Sequence, residues 1–217
     1  MSGIPVYFEV GAKRVFAGAL DWPGWIRAGK DEHLSLAALA AVAERYAPVA
    51  RAAGFPLPKK TDEFDVVERV KGNATTDFGA PGVPAKADAT KLTARELARQ
   101  RAILETCWET LDEVVRGAPA ELRKGPRGGG RDRDKIVEHV LGAESAYASA
   151  IGVKAKQPPA GDAEAVKAFR TAIVAGLEAG EGKWPSRYAA RRIAWHALDH
   201  AWEIEDRSSR RLSDVRQ

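Results

Sequence analysis

Two histidines stand one helical turn apart near the C-terminal end of the chain, in Trp195-His196-Ala197-Leu198-Asp199-His200-Ala201-Trp202. The run from about Tyr188 to Arg207 favours helix without interruption, and Pro185 marks a start just ahead of it. On such a helix both rings project from the same side. Ile193, His196, His200 and Ile204 recur as a buried stripe, while Arg191, Arg192, Asp199, Glu205 and Asp206 fall mostly elsewhere. Inward imidazoles need polar partners, which either separate hydrogen bonds or one shared metal ion would supply. His139 sits on the inward stripe of a second helix, with Ile136, Val140, Ala143, Tyr147 and Ile151. Three imidazoles from two facing helices leave a coordination position for water or substrate. They suit zinc or nickel first, and iron as a third option. A divalent ion held there lowers the pKa of a bound thiol or water and so makes a nucleophile at neutral pH.

Other residues are weaker candidates. Glu138 and Asp199 neighbour histidines in sequence, yet each is turned by about 100° from its neighbour on a helix. Cys107 is the single cysteine and reads as a small core residue or as a thiol near the metal. His33, at the start of an N-terminal helix, reads as solvated. Lys124, Arg127, Arg131, Arg133 and Lys135 surround Gly128-Gly129-Gly130, either as a solvated loop or as a positive rim for a ligand's carboxylates. Asp77 and Phe78 would face a ligand only if their stretch is an ordered loop.

The elements that position these residues can be read from pattern. Val6–Val10 and Arg14–Leu20 form a hairpin, and Asp21-Trp22-Pro23-Gly24-Trp25 a turn in which proline presets φ and glycine takes the positive φ. A helix follows over about residues 31–53, then a strand over 64–70. Residues 71–90, rich in Gly and Pro around Gly79–Pro84, read as a connector unable to sustain a helix. Beyond it, Thr93 and Glu96 fit a capping box, and amphipathic helices run over about 93–117, 132–151, 162–178 and 188–207. Four such stripes bury one another in a bundle. The expected organisation is thus an α/β domain at 1–70, a connector at 71–90, a helical bundle at 91–210 and a tail at 211–217. A chain beginning near Pro84 is expected to fold by itself.

Composition sets the limits. Hydrophobic residues at 45% and charged residues at 29% provide a real core. A net charge of +4 is too small an excess to point to nucleic acid, although Arg207, Arg210, Arg211 and Arg216 make a basic tail. One cysteine excludes an internal disulfide and favours a reducing compartment. No signal peptide or membrane-length apolar run is evident, so a cytoplasmic location is expected.

Two resemblances add to this reading. Val15 to Leu39, with Leu20-Asp21-Trp22-Pro23-Gly24-Trp25 and Ala28-Gly29-Lys30-Asp31-Glu32, resembles the HicB-like fold of antitoxin-related domains. Glu138-His139-Val140-Leu141-Gly142-Ala143-Glu144 and His196-x-x-x-His200 resemble the DinB-like (DinB/YfiT) superfamily. The resemblance implies an α+β chain: a small N-terminal sheet with one helix, then an up-down four-helix bundle. It implies His139, His196 and His200 as ligands of a divalent metal, and a metal-dependent thiol S-transferase or isomerase using bacillithiol, mycothiol or glutathione. It assigns no catalytic side chain. A non-catalytic metal-binding or regulatory protein is the second reading. An antitoxin-type module is the third, since no helix-turn-helix or ribbon-helix-helix segment follows. The expected partner is a small-molecule substrate or low-molecular-weight thiol, with a homodimer also compatible and a membrane excluded.

Overall fold

Ile4–Val10 (β1) and Val15–Ala19 (β2) pair antiparallel across a tight turn in the computed structural model, which describes residues 3–125 and 129–208. Of the residues singled out above, Arg127, Gly128, Arg210, Arg211, Arg216 and the 211–217 tail lie outside the described residues. Ile26–Gly29 (β3) joins β2 antiparallel, and Phe64–Lys71 (β4) joins β1 in parallel, giving a mixed sheet in the order β3-β2-β1-β4. The chain is therefore α+β, as expected.

Alternation along β1 and β2 commits each face of the sheet. Val6, Phe8, Ala17 and Ala19 join the main core, with Trp25, Leu39, Tyr46 and Val49. Tyr7, Glu9 and Phe16 point the other way. The Pro23-Gly24 turn adopts the expected geometry, with Gly24 at φ +90°. It is fixed from both sides: Trp25 Nε1 donates to the Leu39 carbonyl at 2.9 Å, and the Tyr46 hydroxyl donates to the Pro23 carbonyl at 2.7 Å.

The helix expected over 31–53 is two helices, Glu32–Ala41 (α1) and Ala43–Ala52 (α2), broken at Val42. The break lets α1 lie on β2 and β3 while α2 reaches a later helix, Ala94–Gly117 (α4). The 71–90 stretch also departs from expectation. Ala74–Phe78 (α3) is a short helix with a complete capping box from Asn73 and Thr76, and Lys86–Ala89 is a 3-10 turn. Both are tied down by buried carboxylates. Glu9 accepts from the Thr76 hydroxyl and from the backbone N–H groups of Gly82 and Val83.

The long helices follow the sequence pattern closely. They are α4, Arg133–Ala150 (α5), Ala163–Ala179 (α6) and Ser186–Ser208 (α7). Thr93 and Glu96 make the expected reciprocal cap on α4. The helix α7 packs against α4, α5 and α6, and its other flank meets the sheet, where Trp195 lies edge-on to Phe16 with ring centroids 6.0 Å apart. Gly24 is pressed so close to α7 that a Cβ there would stand 2.9 Å from a Leu198 methyl. Helix and sheet side chains consequently form one continuous core. Among the described residues no helix is long and apolar enough to cross a membrane.

This shared core changes the expectation for a truncated chain. Starting near Pro84 removes the sheet that covers Ala194, Trp195 and Leu198, each large buried side chain being worth roughly 1.5–3 kcal/mol. Such a chain should lose cooperative thermal unfolding, measured by circular dichroism. A sharp transition like that of the whole chain would show that the helices are independent.

Candidate metal centre

Three of the four histidines meet. His139 on α5 and His196 and His200 on α7 bring their rings together, with centroid separations of 5.1 Å (139–196), 5.0 Å (139–200) and 4.6 Å (196–200). One nitrogen from each lies within 4.8 Å of the other two. The i, i+4 spacing on α7 places two rings on one face, and the packing of α5 against α7 supplies the third. Among the described residues no thiol or carboxylate belongs to this group.

The polar surroundings of the rings differ in a way that discriminates between separate hydrogen bonds and a shared cation. His200 Nδ1 lies 2.8 Å from Glu203 Oε2. Glu203 is itself held by Arg207 at 2.6 Å, and its carboxyl sits below the usual range, chiefly through the His200 contact. An acceptor at Nδ1 fixes the proton there and leaves Nε2 free to coordinate. His196 is only 6% exposed, and its Nδ1 is buried with no hydrogen-bond partner. Separate hydrogen bonds therefore account for His200 and leave His196 unsatisfied. Burial lowers the His196 pKa to about 2, helped by the charges of His200, Arg192, His139 and Arg131. Burial likewise lowers His139, with His200 and Arg131 adding to it. Three imidazoles gathered this closely, with burial favouring the neutral form of His139 and His196, fit a divalent cation, which would be held by His139, His196 and His200 with a position left open.

The remaining candidates are occupied elsewhere. Glu138 is exposed and accepts from Lys135 at 2.7 Å, and Asp199 pairs with Arg27 at 3.2 Å. Cys107 is fully buried among apolar side chains, which pushes its thiol pKa far up and removes it as a nucleophile. His33 is exposed on α1. In the proposed rim, Lys124 binds Asp132 at 2.5 Å and Arg133 binds Asp134 at 2.8 Å, leaving Arg131 as the described rim cation whose charge reaches His139 and His196. Asp77 accepts from the Lys13 backbone N–H at 2.8 Å, away from the histidines in sequence and structure.

Glu203 was not singled out in the sequence, although its place three residues after His200 is a legible signal for a carboxylate supporting a ligand. Arg191 and Arg192 were expected mostly off the buried stripe. Both are buried, at 1% and 7% exposure, because α7 is covered on its sheet side as well. A cavity of about 790 Å³ opens between α4, α5 and α6 around Trp108, Val140, Val166 and Arg170, and none of the three histidines lines it. Comparison with protein-family models, curated proteins and solved structures finds no match.

If Glu203 orients His200, Glu203→Ala should weaken divalent-metal binding about 10- to 100-fold while leaving the fold intact. Competitive titration with a chromophoric chelator measures this, and unchanged affinity would remove Glu203 from the site.

Proposed function

We propose that the chain is a divalent-metal-binding protein of the DinB-like kind. In this reading its four long helices act as a metal-binding bundle, and the HicB-like sheet braces α7. His139, His196 and His200 are the ligands, with zinc or nickel as the metal. The observation that carries the reading is the convergence of three imidazoles, one of which, His196, has a buried Nδ1 that no protein group satisfies. A bound metal would supply Lewis acidity and lower the pKa of a thiol or water taken into the open position.

The chain's own part is to favour neutral His139 and His196 by burial, to orient His200 through Glu203, and to limit water at His196. A metal-dependent thiol S-transferase fits that chemistry, with a low-molecular-weight thiol as partner. A second reading, a non-catalytic metal or ligand carrier, is favoured by one observation: the substrate-sized cavity lies away from the histidines.

Protein purified without a metal-affinity tag should carry stoichiometric metal by elemental analysis. His196→Ala should lower metal affinity roughly 100-fold or more while the helices stay folded. Wild-type protein that takes up no zinc or nickel would overturn the reading. Titration of bacillithiol, mycothiol and glutathione then separates the two versions: heats that require metal support a transferase, and equal heats with and without it support a carrier.

A further inference from the structure

Three arginines of α7 are buried, and two have a carboxylate. Arg187 binds Glu96 at 2.9 Å, and Arg191 binds both oxygens of Asp88, one of them at 2.6 Å. Arg192 differs. It is 7% exposed, its Nη1 is buried with no hydrogen-bond partner, and among the described residues no carboxylate forms an ion pair with it. The acid whose charge it influences is Glu9, but the oxygens of Glu9 are already engaged by Thr76, Gly82 and Val83.

The guanidinium is nonetheless firmly placed. Its carbon lies 4.9 Å from the Tyr147 ring centre and 4.7 Å from that of Trp195, and it also interacts with the Tyr147 hydroxyl. The same two rings flank His196, at 5.9 Å for Tyr147 and 6.1 Å for Trp195. Arg192 stands one turn before His196 on the same side of α7, so this cation without a carboxylate and the three-histidine centre share aromatic walls. A planar guanidinium held between rings, with a donor left over in a dry site, is suited to an acceptor carrying negative charge and two oxygens.

We infer that Arg192 forms an anion subsite beside the three-histidine centre, built to hold the carboxylate of a small ligand whose flat or apolar body lies against Tyr147 and Trp195. The subsite takes its functional meaning from the metal-centre reading, but binding of a carboxylate by Arg192 is testable without metal. It assigns a positive recognition element to a buried residue of α7, whereas the sequence pattern offers the cations Lys124, Arg131, Arg133 and Lys135 either as such a rim or as a solvated loop.

The test uses the full chain, zinc-loaded and zinc-free, titrated calorimetrically with benzoate and with its neutral analogue benzamide in a buffer lacking carboxylates and phosphate. Benzoate should bind roughly tenfold more tightly than benzamide, the discrimination expected of one charge-assisted pair. Arg192→Gln should abolish that preference while zinc uptake stays stoichiometric, and Arg192→Lys should retain part of it. Equal binding of benzoate and benzamide by wild-type protein would overturn the inference. A preference that survives Arg192→Gln would overturn it too, since zinc alone would then hold the carboxylate. Should Arg192→Gln fail to fold, the wild-type comparison in zinc-free protein decides: a benzoate preference supports the subsite and its absence overturns it. Failure of the metal reading is distinct, because it appears as lost zinc uptake with the benzoate preference unchanged.

Discussion

From Arg187 to Leu198 the last helix has no solvent face. A helix in that position cannot place polar side chains outward, so each must find a partner inside or carry an unmet demand. Most demands are met locally: Glu96 answers Arg187, and Asp88 answers Arg191. His196 and Arg192 each have a buried nitrogen left unpaired and, among the described residues, no carboxylate within ion-pair distance, and they share a side of the helix one turn apart. That concentration of unmet polarity is what singles out this region of the molecule. Large buried cations elsewhere, such as Arg170 beside Asp112 and Glu144, have carboxylates within 4 Å.

The N-terminal sheet creates this constraint. Gly24, at φ +90°, lets the turn after β2 lie so close to α7 that a Cβ there would crowd Leu198, and Trp195 is covered by Phe16 and Ile26. Arg27 and Arg45 lie over the ring of Trp202 at 4.3 and 5.1 Å, extending the cover toward the C-terminal end of the helix. With water excluded from both flanks, burial favours the neutral form of His196, and the Arg192 guanidinium lies in a low-dielectric setting, where a correct partner gains most. The sheet thus helps to exclude water from the side of α7 that carries Arg192 and Trp195.

Much of this was legible in the sequence, for reasons that can be traced. The four long helices announced themselves through apolar stripes and a capping box at Thr93, and the meeting of His139 with His196 and His200 followed from their inward phase. The Gly24 turn was legible because proline and glycine have narrow conformational meaning. What was hidden depended on long-range partners. Asp88 and Glu9 turn a Gly- and Pro-rich stretch into an ordered bracket only through Arg191, Thr76 and the backbone at 82–83, more than 60 residues away in sequence from the acid in each side-chain case. Arg191 and Arg192 looked solvent-facing because helical periodicity sees one buried side, whereas α7 has two.

Anomalous diffraction from crystals of the full chain soaked in zinc tests the central claim most directly. The expected result is a strong peak bounded by His139, His196 and His200, with three ring nitrogens at about 2.0–2.1 Å. A zinc peak confined to surface carboxylates, or none at all with the three rings unchanged, would contradict it.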